Sequence, residues 1–231
     1  MPTMRFDDYH RTVIGYHGTK LSVARKIVNR ERGFQKSENR DDWLGHGVYF
    51  WEYAPQQALW WAERRKKRHQ WKEPIAILAS MIRLGFCFDL LDPRNIEYLV
   101  TVHKAYTATC QASDKDIPEN FNNRKYLDCE VFQYAYAAIE SDPESEITRI
   151  DSARAVYVPS GNGKRIWKRS WITIDSHIQI CVRNPACILG TWLHYPQNLE
   201  VGNETEDSKT PPINIEPKNQ TGGGESEENA S

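Results

Sequence analysis

With 231 residues, 39% of them hydrophobic and 26% charged, the chain is long enough for one sizeable core, and a single folded domain is expected. No apolar run approaches the roughly 18 residues that span a bilayer, and the start Met1-Pro2-Thr3-Met4-Arg5-Phe6-Asp7-Asp8 lacks the apolar centre of a secretory signal, so a cytoplasmic protein without a membrane partner is expected. The net charge of −1 hides an asymmetry: residues 203–231 hold two lysines against seven acids, a balance of −5 that leaves +4 on the remainder.

The predicted elements begin with a strand at Thr12-Val13-Ile14-Gly15-Tyr16 and a helix whose face is Leu21, Ala24, Ile27 and Val28, with His17-Gly18-Thr19 at the junction. After a polar loop, Gly47-Val48-Tyr49-Phe50-Trp51 is short and rich in β-formers, and a helix starts near Pro55 with Ala58, Trp61 and Ala62 in register. Pro74 to Leu84 suits one buried strand and Phe86 to Leu90 another. Two helices are expected near Asn95 to Thr109 and Tyr126 to Glu140. Arg154 to Val158 and Arg165 to Ile174 flank Ser160-Gly161-Asn162-Gly163, whose Asn-Gly step signals a hairpin. Ile178 to Val182 is read as the last strand. Strands dispersed among helices without a regular βαβ alternation favour an α+β domain over a doubly wound sheet. Residues 1–202 are read as the folded domain and 203–231 as a disordered acidic tail, because three aliphatic residues cannot offset the entropy of ordering it.

Common signatures are missing. There is no GxxxxGK[ST] or GxGxxG, and no GxSxG or HExxH, so phosphate-loop, Rossmann, simple hydrolase and metalloprotease chemistry is not indicated. The five cysteines (Cys87, Cys110, Cys129, Cys181, Cys187) are odd in number and show no CxxC spacing, which leaves free, mostly buried thiols as the expectation. His177, Cys181 and Cys187 are assigned ordinary core and surface roles, and no metal is expected.

Three segments remain: Tyr16-His17-Gly18-Thr19; Gly45-His46-Gly47-Val48-Tyr49-Phe50-Trp51-Glu52 with its following helix; and Gln179-Ile180-Cys181-Val182-Arg183-Asn184-Pro185. Together, over residues 13 to 190, they resemble the poly(ADP-ribose)-polymerase-like ADP-ribosyltransferases, whose NAD site is built from a His, a Tyr and a Glu on three core strands. The first motif matches as His-Gly followed by a hydroxyl residue and the second as Gly-x-Tyr-Phe before a helix; the third departs, with Gln179 at the glutamate position. The resemblance implies a split mixed β-sheet with flanking helices, NAD as co-substrate and no metal. It makes His17, Tyr49 and Gln179 the catalytic set and Tyr16, His17, Gly18, Thr19 and Tyr49 the NAD-binding set.

The chemistry fits these residue types. Nicotinamide leaves as a neutral group from a cationic ring, so the protein must hold and orient more than donate protons. Gly18 admits close approach of a carboxamide to the backbone, Tyr49 offers an aromatic face to a pyridinium, and the His17 imidazole is expected to donate to a ribose hydroxyl. Gln179 can hydrogen-bond the other ribose but carries no charge to stabilise an oxocarbenium ion. Its neutrality points to transfer of a single ADP-ribose and keeps a catalytically silent NAD-binding module as the alternative; Glu52 and Asp175 are the nearest replacement carboxylates. Trp51, Trp60 and Trp61 are read as packing residues. An RNA 2′-phosphotransferase, a third reading, requires phosphate-binding arginines that the sequence does not place.

The acceptor is expected to be nucleic acid or protein, with nucleic acid favoured by Arg64, Arg65, Lys66, Lys67, Arg68 and a following Trp71 able to stack on a base. Lys164, Arg165, Lys168 and Arg169 form a second basic patch. A toxin or defence role, with a neutralising antitoxin among the partners, is the biological setting this resemblance implies.

Overall fold

The computed structural model describes residues 8–122, 124–143, 148–158 and 165–196. The expected tail, residues 203–231, and the Ser160-Gly161-Asn162-Gly163 turn lie outside them.

Strand β1 (Asp8–Lys20) runs straight into helix α1 (Leu21–Val28), which buries Ala24 and Ile27. His17, Gly18 and Thr19 therefore lie within the strand instead of at its junction with the helix. After the loop come β2 (Val48–Glu52) and α2 (Pro55–His69), whose first position is held by Pro55, where a missing N–H costs nothing. Then follow β3 (Ile75–Asp89), α3 (Pro93–Ala112), capped by Asp92, and α4 (Tyr126–Glu140). The described chain closes with β4 (Ser152–Tyr157), β5 (His177–Val182), a 3₁₀ turn and β6 (Ile188–Tyr195). The result is a mixed α+β fold with a six-stranded mixed sheet and four helices.

Pairing closes on itself. β1 pairs with β2, β2 with β5, β5 with β4, β4 with β3, and β3 returns to β1, with β3–β4 the one parallel contact among these. β6 adds to β3 antiparallel. A single 15-residue β3 replaces the two strands expected on either side of Gly85. Gly85 makes this possible by bending the strand at φ +61, and a Cβ there would stand 2.4 Å from the Asp151 carboxylate. Opposite the bend β1 bulges between Tyr9 and Thr12, which keeps the two strands paired.

Two other expectations are corrected. Residues 165–174 form no strand; one isolated bridge, Arg165 to Thr173, closes a loop, and β4 takes β5 as its partner. β6 was not anticipated, because its burial alternates poorly along an exposed edge.

The face enclosed by the ring holds Val13, Val48, Phe50, Ile82, Leu84, Ile180 and Val182. The opposite face of β4 and β5 packs Ala153, Ala155 and Cys181 against Phe132, Tyr136 and Ile139 of α4, while α2 covers Trp51 and Ile77 with Ala58 and Ala62. Inside the ring Arg154 of β4 donates to both oxygens of Glu52 in β2, at 2.5 and 2.8 Å, and to Asp89 of β3 at 3.0 Å. All five cysteines are buried. Among the described residues no helix is long and apolar enough to cross a membrane.

Candidate functional site

The pairing of β1 with β2 stops after two residues, Gly15 to Glu52 and Tyr16 to Trp51. Peptide groups along a strand point alternately to either edge. The Ile14 carbonyl accepts from Tyr53 N–H of the chain leaving β2, whereas Leu21 N–H turns to Pro74 before β3. By this alternation Gly18, four residues after Ile14, directs its N–H and C=O to the β2 edge. Continued pairing would bring Gly18 opposite Tyr49. Instead the Tyr49 carbonyl accepts from Nδ1 of His17 at 2.9 Å. The imidazole thus stands as a wedge where the two strands part, and the β1–β2 register ends short of a Gly18–Tyr49 pair.

Gly18 is required by packing as well. A Cβ at this position would lie 2.5 Å from the Ala58 carbonyl and 2.8 Å from the Ala62 methyl of α2, so the helix backs directly onto the strand. The His17 ring contacts Phe34, Phe50 and Trp61. Burial lowers its pKa, opposed by the bond to the Tyr49 carbonyl and assisted by the nearby Arg65 cation. Because Nδ1 must carry the proton that a carbonyl accepts, Nε2 of the neutral ring is an acceptor. The expected donation from His17 to a ribose hydroxyl is therefore reversed: the hydroxyl would donate to Nε2.

Tyr49 and Gln179 share the other face, since Tyr49 pairs with Cys181 and Trp51 with Gln179. The Tyr49 hydroxyl donates to Gly45 C=O at 2.8 Å and accepts from Leu44 N–H at 2.9 Å. Burial keeps this phenol well above its usual pKa, so it serves as a neutral, fixed ring. The same loop is held from α4, where Tyr136 donates to the Leu44 carbonyl at 2.7 Å and Gln133 accepts from His46 N–H at 3.2 Å. Held at residues 44–46 from both β2 and α4, the loop delivers Trp43 to β5.

There the Trp43 indole donates to Oε1 of Gln179 at 2.7 Å, and the Gln179 amide lies 3.0 Å from Nε2 of His177. Nδ1 of His177 bonds the Asp175 carbonyl at 2.7 Å, so Nδ1 carries the proton and Nε2 accepts from Gln179. Tyr157 stacks on His177 with centroids 5.0 Å apart and meets Trp43 edge-on at 5.8 Å. Trp43, Tyr157 and His177 thus form an aromatic box around Gln179. Sequence reasoning missed Trp43 and Tyr157 and left His177 in an ordinary core or surface role; the available signal was a tryptophan in a largely polar loop.

Structure thus joins His17 to Tyr49 directly and places Tyr49 and Gln179 as diagonal neighbours on adjacent strands, while His17 reaches the gap from the Phe50 side. Tyr16 turns to Trp51 and to His194 and Thr19 pairs with Ala76, so both contribute to the wall of β1. Glu52 is no replacement carboxylate: it is spent on Arg154 within the ring, on the face opposite Gln179. The Asp175 side chain borders a hollow beside α2. Trp71 is not open for base stacking, because Lys20 and Arg65 lie over its ring at 5.3 and 5.4 Å. Arg65 also covers Trp61, leaving Arg64, Lys67 and Arg68 as the outward cations of the expected set. Of the second basic patch, Lys164 lies outside the described residues and Arg165 donates to the Ser170 carbonyl. Among the described residues no group of three His, Cys, Asp or Glu side chains is placed to hold a metal.

Burial lowers the pKa of both His17 and His177. Below the ordinary histidine pKa of about 6.5 the unfolded chain then binds more protons than the folded one, so stability falls as pH drops through that value toward the folded pKa values. A melting series from about pH 7.5 to about pH 5.5 should show this decline, and His177→Gln should flatten it. A pH-independent melting temperature in that window would contradict the neutral assignment.

Comparison with family models, with curated proteins and with solved structures finds no match. The mixed α+β fold and the parting of β1 from β2 beside Gly18 are therefore the basis for a functional proposal.

Proposed function

We propose that this chain is a mono-ADP-ribosyltransferase with an ADP-ribosyltransferase-like fold, which cleaves NAD and passes ADP-ribose to a macromolecular acceptor. The observation that carries this reading is the bond between His17 and the Tyr49 carbonyl at the point where the β1–β2 register ends short of Gly18. A carboxamide needs one donor and one acceptor side by side, and the N–H and C=O of Gly18 are such a pair. The rigidly held Tyr49 ring supplies a wall for the pyridinium. Nε2 of His17 accepts from a ribose hydroxyl. Gln179 keeps one amide hydrogen and one oxygen lone pair beyond its bonds to Trp43 and His177, enough to orient the second ribose. Being neutral, it adds orientation without charge, which suits one transfer and not chain growth. A cytoplasmic toxin or defence effector, restrained by an antitoxin, is the setting in which such an activity fits.

Incubating the protein with labelled NAD and separate pools of RNA, DNA and protein tests the proposal. Label on one pool with release of nicotinamide is expected; intact NAD in every pool would overturn it.

One observation favours the second reading, a silent NAD- or ADP-ribose-binding module: both ends of the Gln179 amide are engaged within the protein. Gln179→Glu separates the two. A carboxylate cannot donate to His177, so the imidazole must take up a proton to keep the contact, and its pKa should rise. An enzyme tuned for glutamine should lose or change its transfer activity on this substitution, whereas a silent module should gain NAD cleavage.

A further inference from the structure

We propose that the surface formed by α2 and the loop 165–175 binds a single-stranded polynucleotide, with phosphates on the α2 cations and bases on outward-facing indoles. As the source of the acceptor this rests on the transferase reading; as a binding property it stands alone.

The first observation is an inverted loop. Ser170 is buried, yet Trp167 is 64% and Trp171 96% exposed, with Ile172 and Ile174 also on the surface. Large aromatics normally partition the other way. The loop is ordered by its own bonds: Ile166 N–H to Ile172 C=O at 3.2 Å, Ser170 N–H to Trp167 C=O at 3.1 Å, and Ile172 N–H to the Ser170 hydroxyl at 3.0 Å. These bonds present the two indoles to solvent with Lys168 and Arg169 between them in the chain.

The second observation is what adjoins the loop. Trp60, Glu63, Arg64 and Lys67 recur at the spacing of one helical face and, with Ile174 and Asp175, line a hollow of about 490 Å3. Its indole wall and two cations form the pairing that sequence-tolerant single-strand binders use, stacking for bases and charge for phosphates.

Cations with exposed tryptophans also suit an anionic membrane. The hollow decides between the two. A flat headgroup layer does not fill a concave site. A splayed base fits the concavity, and its exocyclic amino group is a donor that the Glu63 and Asp175 carboxylates accept.

The test uses the full chain without NAD, so its outcome is read apart from NAD cleavage. Anisotropy of short fluorescein-labelled single-stranded RNA, single-stranded DNA and duplex DNA is followed across a salt series, with phosphatidylserine vesicles in a sedimentation arm. Single strands should bind in preference to duplex, and the RNA and DNA arms identify the sugar preferred. Trp167→Ala with Trp171→Ala should weaken binding by about tenfold or more. Arg64→Gln with Lys67→Gln should reduce the slope of log K against log salt by about 1.4, two phosphate contacts at about 0.7 each. These are surface positions, so matched melting curves establish that the variants fold. The proposal is overturned if no oligonucleotide binds at low salt, if both variants bind like the parent, or if the protein partitions onto vesicles and ignores oligonucleotides.

Discussion

His17→Ala should lower NAD cleavage by about 10²–10³-fold, the range seen when one preorganised polar contact is lost from a reacting site. Two effects act together. The Nε2 acceptor proposed for the ribose disappears, and the Tyr49 carbonyl is released from Nδ1. The β1–β2 ladder can then extend to Gly18 opposite Tyr49 and close the edge proposed for the carboxamide. Loss of the ring from its contacts with Phe34 and Phe50 should cost about 1–2 kcal/mol, too little to unfold the domain. His17→Gln distinguishes the two effects, since its amide can still donate to the Tyr49 carbonyl. It should retain more activity than alanine if the wedge matters beyond the ribose contact. Nicotinamide release from labelled NAD is the measurement. Unchanged release by His17→Ala would remove His17 from the site.

Arg154→Leu should be the most destabilising single change. The side chains of Arg154, Glu52 and Asp89 are only 5%, 7% and 7% exposed, and the guanidinium is the cation that both carboxylates share. Removing one partner of a buried ion pair typically costs about 3–5 kcal/mol, because the remaining charge keeps its desolvation penalty without compensation. Here two carboxylates are left facing each other across the ring. For a domain of this size the expected fall in melting temperature is about 6–20 °C. Thermal or urea unfolding provides the test, and Glu52→Gln with Asp89→Asn in the Arg154→Leu background should recover part of the loss by removing the stranded charge. A shift below about 3 °C would mean that the network contributes little to closing the ring.

Local signals read correctly wherever they were strong and close in sequence. Pro55 marked the start of α2, and the Tyr126 to Glu140 pattern matched α4 at both ends. The short β-rich run around Tyr49 became β2, and the alternation from Ile178 to Val182 became β5. Signals failed where conformation depended on a partner far away. Gly85 looks like a strand break, yet a left-handed glycine beside Asp151 lets β3 bend and continue. β6 is an edge strand with weak alternation, formed because β3 offers an unpaired side. The Asn-Gly step suggested a hairpin, whereas β4 pairs with β5.

The same division applies to the site. Residue type alone determined which chemistry was available: an imidazole, an aromatic ring, a side-chain-free residue and a neutral amide. Only tertiary structure decided how they are used. The His17 tautomer follows from a carbonyl 32 residues away in sequence, Gln179 is oriented by Trp43 from 136 residues away, and Glu52 is withdrawn by Arg154 from 102 residues away. Hydrogen-bond direction and ion pairing depend on distances of about 3 Å between atoms that the chain brings together only on folding. Periodicity in sequence carries the facing of each side chain; it carries no information about which distant group will meet it.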